Sequence, residues 1–150
     1  MVKLKTILLV DDNTKDIELT LEAMAENNLT NQVVVVKDGV EALEYLRQEG
    51  KYKLRKTGSP CVILLDIKMP RMDGIEVLRN IRSDAALKRI PVVILTSSRE
   101  EKDLNDTYEL GVNAYVVKPV DFQKFIEAVK QIGNFWAVIN ELPPEGRIVV

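Results

Sequence analysis

ILLVDD, residues 7–12, sets four apolar side chains directly against two carboxylates, and the same form returns at VILLD (62–66), VVILTS (92–97) and AYVVKP (114–119). Short runs of Val, Ile and Leu that alternate with longer helical patterns mark strands buried on both faces of a parallel sheet. In such sheets ligands bind outside the carboxyl ends of the strands. The residues that close these runs, Asp11, Asp12, Asp66, Thr96 and Lys118, are therefore expected together on one rim.

Outward from these runs, the chain reads as strand and helix alternating five times. Strands are expected at 6–10, 33–36, 62–65, 92–95 and 114–117, and helices at about 14–27, 39–49, 74–83, 100–110 and 121–141. Ile17, Leu21 and Met24 fall at i, i+4 and i+7, a core-facing stripe, and Asn13 with Asp16 resembles a capping pair at the start of that helix. Right-handed crossovers place helices on both faces of such a sheet. In the last helix Phe122, Phe125, Ile126, Val129, Ile132, Trp136 and Ile139 form a core-facing stripe, and Phe135, Val138 and Leu142 are surplus apolar surface. The segment 50–60, GKYKLRKTGSP, is a long polar loop whose Lys51, Lys53, Arg55 and Lys56 are either simply solvated or a docking patch for an acidic partner.

Composition bounds the class. A chain of 150 residues, 46% hydrophobic and 29% charged, buries roughly two thirds of its unfolded surface, enough for one core. A single domain over 1–150 is expected, with a core at about 5–132 and a C-terminal extension at about 133–150. A net charge of -2 does not favour nucleic acid or anionic lipid. The apolar stretch in MVKLKTILLV ends at two aspartates, short of a signal-peptide core or a membrane span, so a cytoplasmic protein is expected. The single cysteine, Cys61, opens an apolar run and reads as a small buried hydrophobe.

The rim residues point to phosphoryl chemistry. A carboxylate can attack phosphorus and carry the phosphoryl group as an acyl phosphate, and Asp66 is the candidate nucleophile. Asp11, Asp12 and Asp66 gathered on one rim repel one another unless a divalent cation compensates them. An oxygen-only set suits Mg2+, for which Mn2+ can substitute, and the absence of histidine leaves no zinc pattern. Asp11 ligates directly, orders its neighbour, or acts through water. Lys118 offers a positive charge and Thr96 a hydroxyl to the same phosphoryl group.

VDDN (10–13), LLDIKMPRMDG (64–74), ILTSS (94–98) and YVVKP (115–119) resemble the signature of the response regulator receiver domain of two-component signalling, and the likeness covers nearly the whole chain. The resemblance implies an α/β flavodoxin-like (βα)5 sandwich with a parallel sheet of order 2-1-3-4-5, here with an extended C-terminal helix. It also implies that Asp66 is the phosphoacceptor, that Asp12 is the more direct metal ligand of the acidic pair with Asp11, and that Lys68 lends its backbone carbonyl to Mg2+. Thr96 and Lys118 match the switch hydroxyl and the phosphate-binding lysine, and Tyr115 matches the switch aromatic, whose bland alternative is a half-buried strand tyrosine. A cis Lys118–Pro119 bond is a further family expectation.

The long 50–60 loop and the extended last helix make the chain similar to stand-alone regulators paired with phytochrome histidine kinases. The function implied is a single-domain switch that accepts a phosphoryl group from a kinase phosphohistidine and then changes its protein contacts. Output is expected through a downstream protein target or a phosphotransfer protein. Its own phosphoryl acceptance and loss aside, no enzymatic turnover is expected. Two alternatives stand beside it. One is a phosphorylation-independent scaffold of the same fold. The other is a haloacid-dehalogenase-like phosphatase, disfavoured by Lys68 where those enzymes carry a second aspartate. The surplus apolar surface of the extension, with the tail at 148–150, marks either a homodimer interface or a segment folded back on its own domain.

Overall fold

The computed structural model describes residues 5–56 and 58–144. Five strands, β1 (Ile7–Val10), β2 (Val33–Val36), β3 (Val62–Leu65), β4 (Val92–Thr96) and β5 (Ala114–Val117), alternate with five helices. The helices are α1 (Thr14–Glu26), α2 (Gly39–Arg47), α3 (Gly74–Ser83), α4 (Glu101–Glu109) and α5 (Phe122–Gly133). All strand pairs are parallel, in the order β2-β1-β3-β4-β5, the flavodoxin-like arrangement expected.

The two-residue period of a strand divides the apolar runs between two cores. Leu8, Val10, Ile63, Leu65 and Ile94 point toward α2 and α3, where they meet Leu43, Leu46, Leu78 and Ile81. Ile7, Leu9, Leu64, Val93 and Leu95 point the other way and pack with Ile17, Met24, Phe125, Val129 and Ile132 of α1 and α5. Every one of these strand residues is at most 2% exposed, which is why the runs contain no polar alternation. Burial of each such side chain is worth about 1.5–3 kcal/mol before chain entropy is subtracted.

Helix starts are set by short polar side chains. Asn13, Asp38, Asp73 and Asp121 each accept the backbone N–H three residues on, and the Asn13–Asp16 cap is the one expected. The exception is α4, whose N-cap Glu100 makes no side-chain cap bond and whose fully buried side chains are Asp103 and Thr107, both polar.

The C-terminal segment departs from the expected helix at 121–141. After Gly133 the backbone widens into a π-helical turn, Asn134–Ile139, and then leaves the helix at Asn140. Its i to i+5 repeat moves the buried line from Ile132 to Ala137. Ile139 is rotated to 59% exposure and Phe122, in the first turn, lies under the Lys15 ammonium at 53%, so neither belongs to the core stripe. Phe135 and Val138 are exposed, as the surplus-surface reading expected. Leu142, Pro143 and Pro144 fold back to line a pocket with Ser59, Pro60, Ile90 and Pro91. The tail at 148–150 lies outside the described residues.

The 50–60 loop is less solvated than its composition suggests. A 3-10 turn at Gly50–Tyr52 brings Tyr52 edge-on to Tyr45, and the Tyr52 hydroxyl donates to Glu41 at 2.8 Å. Lys51 pairs with Glu41 and Arg55 stacks on Tyr45, leaving Lys53 and Lys56 on the surface.

At the opposite end of the sheet from the rim, Arg82 spends all five guanidinium N–H groups. They donate to the carbonyls of Leu110, Lys88, Ile90 and Gly111 and to Asn113 Oδ1, at 3.0–3.1 Å. This fork ties α3 to the ends of α4 and β5, and a lysine ammonium cannot reproduce it. Arg82→Lys is expected to lose about 2–4 kcal/mol of stability, seen as a lower urea midpoint with unchanged slope. Cys61 is fully buried and its thiol is pushed up to about 11 by burial. It should resist a thiol reagent at neutral pH in the native protein and react at once in urea.

Candidate functional site

The rim residues are placed by the ladder itself. One residue beyond each strand, backbone bonds continue: Asp11 N donates to the Val36 carbonyl, Asp66 N to Val10, and Lys118 N to Thr96. These residues therefore inherit the rigidity of the sheet, although their side chains are polar. Gly74, at the start of α3, approaches so closely that a Cβ there would lie 2.1 Å from the Asp66 carbonyl oxygen, and its N–H donates to the Ile67 carbonyl. The loop between Asp66 and Gly74 is clamped from outside, since Arg71, at φ 65°, holds Asp38 at the cap of α2 by two 3.0 Å bonds.

Lys118 is the hub. Its ammonium, 6% exposed as a side chain, donates to Asp11 Oδ2 at 2.8 Å, Asp16 Oδ2 at 2.8 Å and Asp66 Oδ2 at 3.1 Å. Burial alone would push this amine down. The hydrogen bonds to Asp11 and Asp16, with the charges of Asp11 and Asp66, outweigh it and hold Lys118 well above its usual range. For Asp11, burial is the larger influence and raises its carboxyl above the ordinary 3.8, against the lowering effect of Lys118 and the Asn13 N–H. The second oxygen of Asp66 accepts the Ile67 N–H at 2.8 Å.

Asp11, Asp12 and Asp66 offer one carboxylate oxygen each within 4.8 Å of one another, with Asp12 exposed and the other two buried. Three hard oxygen donors open to solvent on one side fit a divalent cation that keeps water. A shared cation is also what the charge balance asks for, because one ammonium faces three carboxylates counting Asp16. Lys68 lies in the loop after β3, and its side chain is 64% exposed and turned toward Asp103 at 3.8 Å.

Thr96 is fully buried at the end of β4 and its Oγ1 accepts the Ser98 N–H at 3.3 Å. Tyr115 is half-buried on β5, with its hydroxyl donating to the Ser98 carbonyl at 2.9 Å. The Lys118–Pro119 bond corrects the cis expectation. It is trans, the isomer an X-Pro amide favours by about 0.5–1 kcal/mol. Asp16 was expected only as a cap, but it is the third carboxylate on Lys118. Its place in the first turn of α1, just after the end of β1, sets it above the same rim.

A doubly covered parallel sheet whose carboxyl rim gathers this acidic group around one buried lysine is the architecture of a receiver domain. The chain belongs to the response regulator receiver domain family, which it matches over residues 7–130. It is similar to response regulator Rcp1 from Synechocystis sp., 38% identical over 139 residues that span 93% of each chain. Among solved structures it is similar to the Mn(2+)-bound form of Rcp1, with TM-score 0.86, 38% identity and coverage of 93% of this chain and 99% of that one. The phosphorylated cyanobacterial phytochrome response regulator RcpA matches at TM-score 0.86 and 46% identity, over 93% of this chain and 98% of that one. The bacteriophytochrome response regulator RtBRR is 56% identical at TM-score 0.74, over 95% of this chain and 86% of that one. Receiver domains bind a divalent metal, and the acidic group here is consistent with it. Among the described residues no helix is long and apolar enough to cross a membrane.

Lys118→Met leaves three carboxylates without their ammonium. In chelator it should cost about 3–5 kcal/mol of stability, and Mg2+ should restore a larger share than it adds to the wild type, as read from urea unfolding with and without the ion.

Proposed function

We propose that this protein is a phosphoryl-accepting switch in which Asp66 takes a phosphoryl group from the phosphohistidine of a sensor histidine kinase. The observation that carries the reading is the convergence of Lys118 on Asp66 Oδ2 in company with Asp11 and Asp16. Lys118 holds one Asp66 oxygen and the Ile67 N–H fixes the other, which sets the orientation of the carboxylate at the rim. Attack forms the Asp66 oxygen–phosphorus bond and breaks the phosphorus–nitrogen bond, with the electron pair leaving on the histidine nitrogen. Mg2+, or Mn2+ in its place, would be held by Asp11, Asp12, Asp66 and the Lys68 carbonyl, and neutralises charge on the phosphoryl oxygens when bound.

Lys118 is the group that follows the reaction. Before transfer it neutralises carboxylates, and after transfer it is placed to bind a phosphoryl oxygen. Thr96 supplies a hydroxyl to the same group. When it turns, the Ser98 N–H loses its acceptor, and the Ser98 carbonyl that holds Tyr115 is on the same residue. This gives Tyr115 its role as the switch aromatic, and the output passes to a downstream protein or a phosphotransfer protein. Outside substrates are not turned over.

The names of RcpA and RtBRR, at 46% and 56% identity, support a phytochrome-type kinase as the donor. The exposed Phe135, Val138 and Ile139 support association of two copies.

Intact-mass spectrometry after mixing with acetyl phosphate tests the reaction. One phosphoryl adduct is expected that requires both Mg2+ and Asp66, and Asp66→Asn should show none. An adduct that survives Asp66→Asn, or none under any condition, overturns the assignment.

A further inference from the structure

Beside the phosphoryl site lies a second buried carboxylate that the proposed reaction does not use. Asp103, in the first turn of α4, is 4% exposed. Its Oδ2 accepts the Ser98 hydroxyl at 2.6 Å, a length typical of a charge-assisted bond, and faces the Lys68 ammonium at 3.8 Å. Its carbonyl accepts the Thr107 hydroxyl at 2.8 Å. Ser98 in turn donates its N–H to Thr96 Oγ1, accepts Glu100 N–H on its hydroxyl oxygen, and accepts the Tyr115 hydroxyl on its carbonyl. The Tyr115 phenol, raised chiefly by burial, also feels the charges of both Asp103 and Asp66, so the two acids flank the same region.

The stoichiometry of charge is unusual. A carboxylate this buried has one hydroxyl and one ammonium, and that ammonium sits two residues after Asp66 on a flexible, 64% exposed stem. A phosphoryl group on Asp66 carries up to about two negative charges and consumes the carboxylate's own, so the site gains about one, within reach of the same stem. Lys68 then stands between two anions and satisfies one at the expense of the other.

We infer that Asp103 is a positioning residue that competes with the phosphoryl group on Asp66 for the Lys68 ammonium, so that occupancy of the site is coupled to the anchoring of α4 through the Asp103–Ser98–Lys68 contacts. The inference rests on the proposed phosphoryl acceptance and adds to it a residue on α4 that sets how strongly the site holds its group. Coupling of this kind is reciprocal. What weakens the hold of Asp103 on Lys68 strengthens the site, and what strengthens it weakens the site.

Beryllofluoride, a phosphoryl mimic that coordinates a carboxylate oxygen reversibly without any group transfer and so separates binding from transfer, is the probe, titrated with excess Mg2+ by calorimetry. Asp103→Asn keeps an acceptor for the Ser98 hydroxyl but removes the charge, and should tighten beryllofluoride by roughly five-fold, the scale of one partly exposed ion pair. Ser98→Ala, which leaves Asp103 leaning on Lys68, should weaken it. In a Lys68→Met background both effects should vanish to within two-fold. A purely structural role for Asp103 predicts the same change in both backgrounds. That result, or no change in either, overturns the inference while leaving phosphoryl acceptance standing. If the wild type binds no beryllofluoride and gains no adduct from acetyl phosphate, both fall together. Thermal unfolding of each variant checks the fold, and Ser98→Ala carries the test if Asp103→Asn does not fold.

Discussion

Charge that is taken out of water must be balanced where it lands, and this constraint shapes the whole upper face of the molecule. Asp11 and Asp66 are buried because the ladder places the residue after each apolar strand at the sheet rim. Once there they need a partner, and Lys118 supplies it from the far side of the sheet, across a separation of 107 residues from Asp11. The order of the strands brings them together, because β1 and β3 are adjacent at the centre and β5 reaches over from the edge. A single cation against several anions leaves an excess of negative charge. That excess fits a divalent cation, and in the proposed function it is the one ammonium among competing oxygens that would answer to phosphoryl occupancy.

The supporting structure divides into parts that hold the site still and a part that does not. Arg71 on Asp38 and the close approach of Gly74 to Asp66 fix the loop after β3. Arg82 fixes the opposite end. By contrast, α4 has no side-chain cap and turns Asp103 and Thr107 inward. The residues proposed to report phosphorylation, Thr96, Ser98 and Tyr115, all lie on the path between the rigid rim and this loosely anchored helix.

Strands and rim residues could be read directly from the chain for one reason. Strands buried on both faces admit no polar residue, so a polar residue that ends such a run announces the edge of the sheet. Asp11, Asp66 and Thr96 are legible by that rule, whereas Lys118 follows β5, a half-buried edge strand, and is legible from its place in the strand–helix alternation. Asp103 is not, because in REEKD it looks like one more solvated charge, and only the tertiary placement of α4 buries it. The signal that exists is negative: α4 lacks an apolar stripe, which an ordinary surface helix carries. Extending a 3.6-residue period puts Ile139 on the core face, but the π-helical turn breaks that period, while Phe122 stands in the exposed first turn of α5 beneath Lys15. Nothing local distinguishes that turn from its α-helical neighbours, since it forms where α5 runs off the end of α1.

The polar underside of α4 has a thermodynamic consequence. Lifting a helix held by apolar contacts exposes hydrocarbon, and so carries a large heat-capacity increment and a strong response to denaturant. Lifting α4 uncovers the Asp103 carboxylate and the Ser98 and Thr107 hydroxyls, with only part of Leu104 and Leu110. Such an opening depends less on temperature and low urea than that of an apolar helix, and it responds to ionic strength, since salt screens the Lys68 contact at the surface. In the proposed switch, α4 would respond less to temperature than the hydrophobic body beneath it.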